Sequence, residues 1–66
     1  MSVTITATYD SIDNVRNAED ELRASGIPSE NLYFDEAGMQ IKVMIPATTR
    51  PQILEILERH KPTQLN

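Results

Sequence analysis

The sequence predicts a two-layer α+β sandwich, and three features carry that prediction. Val3, Ile5, Ala7 and Tyr9 alternate with Thr4, Thr6 and Thr8, and Met39, Ile41, Val43 and Ile45 share one parity, which is the period of half-buried strands. Two other segments repeat their aliphatic residues at helical spacing. The chain has 66 residues and no cysteine, so one domain spanning 1–66 must form a core without disulfides, near the lower size limit for doing so.

Strand one covers Val3 to Tyr9. Asp10 and Ser11 then supply capping oxygens, and Ile12, Val15, Ala18 and Leu22 set the buried stripe of a first helix. Arg16 with Asp20 and Glu19 with Arg23 are i,i+4 pairs on its outer side, each contributing about 0.3 kcal/mol. Gly26 suits the left-handed position after a helix, Ile27 can pack back on the last turn, and Pro28 blocks continuation, so the helix stops at Ser25 or Gly26. Leu32, Tyr33 and Phe34 begin strand two, and Asp35-Glu36-Ala37-Gly38 reads as a turn into strand three, Met39 to Ile45. That loop places Phe34 opposite Met39 and Leu32 opposite Ile41. Pro46 closes strand three.

The second helix opens on Thr49-Arg50-Pro51-Gln52, read as a capping box in which Thr49 caps the Gln52 amide and Gln52 reaches back. Pro51 falls in the first turn, where no amide partner is needed. Ile53, Ile56 and Leu57 form its stripe, Arg59, His60 and Lys61 place positive charge at its negative end, and Pro62 stops it. Residues Thr63 to Asn66 are a tail or a short fourth strand.

The order βαββα, with an optional terminal strand, suits an antiparallel sheet with both helices on one face. A right-handed crossover then puts strand three between strands one and two, the ferredoxin-like arrangement. Val3, Ile5, Ala7, Leu32, Phe34, Ile41, Val43 and Ile45 face the helices in this reading. Thr4, Thr6, Thr8, Tyr33, Gln40, Lys42 and Met44 lie on the opposite face.

Ten acidic residues against six basic give a net charge of -4, the wrong sign for tracking phosphates, so nucleic acid is not an expected partner. No apolar run approaches the roughly 20 residues that span a bilayer, and no basic-then-apolar leader opens the sequence, so a cytoplasmic, non-membrane protein is expected. The single histidine, His60, sits between Arg59 and Lys61, which repel a metal cation, and it reads as a helix C-terminal cation. Asp10, Asp13, Asp35 and Glu36 match no calcium loop and read as capping and turn residues. Ser11, Ser25 and Ser29 lack a Gly-x-Ser-x-Gly elbow, and two glycines, Gly26 and Gly38, form no phosphate loop. Neither a cofactor, a metal site nor an enzymatic activity is expected, and a minimal enzyme using an aspartate and His60 ranks last.

The stretch from Thr6 to Leu32, with Tyr9-Asp10-Ser11, Val15, Ala18, Leu22, Gly26-Ile27-Pro28 and Leu32, resembles the first strand, helix and second strand of small bacterial general-stress-protein modules. The resemblance covers less than half the chain and consists of packing and capping positions. The element order is also similar to regulatory modules of the ACT type, and this similarity implies dimerisation and an amino-acid site near the first strand–helix junction. Those modules usually carry glycine there, where this chain has Asp10-Ser11-Ile12-Asp13-Asn14. Heavy-metal-binding ferredoxin-like domains need the cysteines this chain lacks.

Two functional expectations follow. The first is a non-enzymatic protein that forms a homodimer or larger assembly through its sheet, because a short fourth strand leaves part of strand one unpaired. The two copies pair either edge to edge through their first strands or with their threonine-rich faces together, and the interface residues are Thr4, Thr6, Thr8, Tyr33, Lys42 and Met44. The second is a small-molecule regulatory module whose ligand meets Tyr9, Asp10, Ser11 and Asn14, where helix-start amides and side-chain oxygens converge.

Overall fold

A computed structural model describes residues 1–66. The elements are β1 (Ser2–Thr8), α1 (Ile12–Ala24), β2 (Leu32–Asp35), β3 (Gln40–Pro46), α2 (Arg50–Arg59) and β4 (Gln64–Leu65), with single 3₁₀ turns at Ser29–Asn31 and Ala47–Thr49. The four strands form one antiparallel sheet in the order β2-β3-β1-β4.

The parity that marks β1 and β3 as half-buried also joins them. Ile5 lies opposite Val43 and Ala7 opposite Ile41, so same-parity side chains meet on one side of the pair. These residues, with Ile45, join Val15, Ala18 and Leu22 of α1 and Ile53, Ile56 and Leu57 of α2 in one buried cluster. Val3, Leu32 and Phe34 pack against its margin and are only partly buried. Tyr9, just beyond β1, belongs to the cluster itself, at 3% exposed.

Local sequence sets the ends of α1. Ser11 is extended, at φ -145° and ψ 148°, and its Oγ accepts the Asn14 amide at 3.2 Å. At the other end the Gly26 amide donates to the Arg23 carbonyl at 3.0 Å and the Ile27 amide to the Leu22 carbonyl at 3.3 Å. With Gly26 at φ +98°, this is the paired closure that glycine permits.

Three expectations need correction. The β2–β3 register is two residues away from the one the turn suggested: Phe34 lies opposite Ile41, Leu32 opposite Val43 and Asp35 opposite Gln40. Asp35 is the last residue of β2, where its Oδ1 accepts the Gly38 amide at 3.1 Å, and Met39 takes a left-handed φ of 52° that removes it from β3. A shift of two keeps every side chain on its face, so the core composition survives the change. The capping box does not form. The 3₁₀ turn at Ala47–Thr49 runs directly into α2 and leaves Thr49 at φ -91° and ψ -9°, so no side-chain cap bond is made. Pro51 does occupy the first turn. Of the two i,i+4 pairs expected on α1, Glu19 and Arg23 meet at 3.6 Å, and Arg16 with Asp20 do not.

The terminal segment is a strand. Leu65 pairs with Ala7 and Gln64 with Thr8, while the Thr6 amide and carbonyl both bond Asn66 at 2.9 Å.

Candidate functional site

The even-numbered residues of β1 and β3 point away from the buried cluster. Thr4 lies opposite Met44 and Thr6 opposite Lys42, and Tyr33 of β2 lies opposite Lys42 on its other side. These side chains make an open sheet face on which the only strand-borne charges are Lys42 and, at its corner, Asp35. Hydroxyl, thioether and phenol groups occupy the rest of its centre.

A groove of about 250 Å³ is cut into this face. Thr4, Tyr33, Lys42 and Met44 line it together with Glu30, Asn31 and Leu32. Tyr33 is 66% exposed and Met44 50% exposed, the two large hydrophobic side chains most open to solvent apart from Met1. The Asn31 Nδ2 donates to the Met44 carbonyl at 2.9 Å, which continues the β2–β3 ladder with a side chain and fixes the 3₁₀ turn as a wall of the groove. Four of the six predicted contact residues thus line one depression. Thr6 and Thr8 lie beyond it toward β4, where Thr8 Oγ1 accepts the Gln40 amide group at 3.2 Å. The residues of the wall, Glu30 to Leu32, were not anticipated. The signal available was Pro28 followed by Ser29, Glu30 and Asn31, all turn-forming types.

The residues at the strand–helix junction are placed differently from one another. The Tyr9 hydroxyl is inside the core and donates to the Leu57 carbonyl at 2.9 Å, and burial pushes its pKa from 10.0 to about 12. Ser11 is engaged as the α1 cap, Asp10 is exposed and Asn14 is half-buried. The groove lies elsewhere.

A third cluster joins the helices. Glu21 of α1 presents Oε1 to His60 Nε2 at 2.8 Å and Oε2 to the Arg59 guanidinium, which also meets Glu55 at 3.4 Å. His60 therefore stands at the C-terminal end of α2 and also joins it to α1. No three His, Cys, Asp or Glu residues stand close enough to hold a metal ion, and no helix is long and apolar enough to cross a membrane.

No family model, curated protein or solved structure matches the chain.

Proposed function

We propose that the chain is a non-enzymatic association module, a ferredoxin-like sandwich with both helices on one face, which pairs with a second copy through the other. The observation that carries this reading is the open face itself. Its centre holds Tyr33, Met44 and small hydroxylated residues, with Lys42 as the one central charge, in a chain that is 24% charged. Depletion of charge together with exposed tyrosine and methionine is the composition of interface centres. Short threonines also let two sheets approach to about 10 Å, the usual packing distance.

A ligand module centred on Tyr9, Asp10, Ser11 and Asn14 has less support, because the Tyr9 and Ser11 oxygens already hold Leu57 and Asn14. An acid–base role for His60 has less still, because its acidic neighbour Glu21 also binds Arg59 and ties the helices together.

The test is sedimentation equilibrium from low to high micromolar concentration. The average mass rises from 7.4 kDa toward twice that value, and Tyr33→Ser moves the transition to higher concentration. A mass that stays monomeric throughout removes the proposal.

A further inference from the structure

Resting on the face-to-face reading, we infer that the second copy is placed by charge, with a two-fold axis at the groove so that Lys42 of each copy meets Glu30 of the other. Both residues line the groove and both are exposed. Neither makes an ion pair within its own chain, whose four pairs join Arg23, Arg59 and His60 to Glu19, Glu21 and Glu55. The groove therefore presents one unpaired cation and one unpaired anion around apolar side chains.

Symmetry makes that combination specific for a second copy. A two-fold interface brings a patch against itself, so a patch of a single sign repels its own image while one carrying both signs complements it. Two chains of net charge -4 repel at long range, so they associate best where the local charge balances. The groove balances, with Lys42 against Glu30. The outer side of α1 does not, with Asp13, Glu19 and Asp20 against Arg16 and Arg23. A basic partner would favour that helix, whereas the groove favours its own image.

Area sets the strength. Strands of seven, seven, four and two residues, about 4.8 Å apart and about 3.3 Å per residue, give a face of roughly 320 Å², so two copies bury roughly 640 Å². That lies below the roughly 1,200 Å² typical of tight complexes, so the dimer is weak and two crossed ion pairs decide its orientation.

The experiment compares wild type, Lys42→Glu, Glu30→Lys and an equimolar mixture of the two variants by sedimentation. Circular dichroism checks that each exposed substitution leaves the fold intact. Each variant alone sets like charges opposite one another twice, and its dissociation constant should rise at least about tenfold. In the mixture every crossed pair is again opposite in sign, and association should return to within about threefold of wild type. Wild type that associates while the single variants are unchanged, or a mixture no tighter than its components, overturns the charge pairing and leaves face pairing standing. Wild type that never associates removes face pairing itself, and this inference with it.

Discussion

The Tyr9 hydroxyl joins the end of β1 to α2 from inside the core, and it is the one group whose ionisation the fold clearly resists. A phenolate there would face the Leu57 carbonyl oxygen in a poorly solvated setting, so folding favours the neutral form. Because the folded pKa, about 12, lies above the ordinary 10.0, the contribution is complete below pH 10 and is lost as pH climbs toward 12. Across that window stability should fall by up to about 1.4 kcal/mol per pH unit from this group. Tyr9→Phe should cost about 1 kcal/mol near neutrality, through loss of a single buried hydrogen bond, and should flatten the decline above pH 10. Urea unfolding of both proteins across the range reads the difference, and parallel curves would contradict it. Alternation put Tyr9 on the apolar side of the first strand, but the core expected from the sequence left it out and assigned it to a ligand site, whereas it lies in the core just beyond β1. The destination of its hydroxyl was not legible, because Leu57 is 48 residues away and no local pattern encodes that distance. Glu21 and His60, 39 residues apart, were hidden for the same reason.

Local chemistry marks element ends well where it acts through a neighbouring amide, and poorly where a preceding turn sets the backbone first. Ser11 and Gly26 show the first case: each satisfies helix-end groups within a few residues, so both boundaries of α1 were readable. Thr49 shows the second, since the 3₁₀ turn before it sets a helical backbone that denies its side chain the capping position. The β2–β3 turn lies between them. A four-residue turn was identified, but it lies one residue later, at 36–39, because Met39 takes a left-handed conformation that its residue type does not announce, so the register moved by two. The Gly26 closure yields a clean prediction because a Cβ there would meet nothing within 4 Å. Gly26→Ala should therefore cost only the backbone strain of φ +98°, about 1–2 kcal/mol, with the groove and its association unchanged. Thermal unfolding measures it. A negligible change would show that the α1 terminus relaxes into another closure.

At the scale of the whole molecule, the sheet can pair with a copy across its open face or along an edge, and on the β1 side β4 is what separates the two. The backbone groups of Thr6 and Thr8 are occupied by residues 63–66, including Thr63 to the Thr8 carbonyl at 2.7 Å. Thr4, next along the same side, has no partner in β4. Two occupied positions out of a seven-residue strand leave too short an edge on that side for a second sheet to extend, and β2, the other edge strand, has only four residues, so pairing through the face closes at a dimer. Removing residues 63–66 should change that outcome. The Thr6 amide loses its Asn66 acceptor and should exchange rapidly with solvent, while Ile5 and Ala7, paired toward β3, stay protected as long as the core holds. The exposed edge can then pair with its own image while the face pairs with another copy, and two non-equivalent contacts on one chain propagate. Sedimentation of the shortened chain, run well below its unfolding temperature, should therefore show species larger than a dimer. A shortened chain that stays folded, exchanges Thr6 quickly and still stops at the dimer would mean that β4 anchors the core margin at Leu65 and plays no part in limiting assembly.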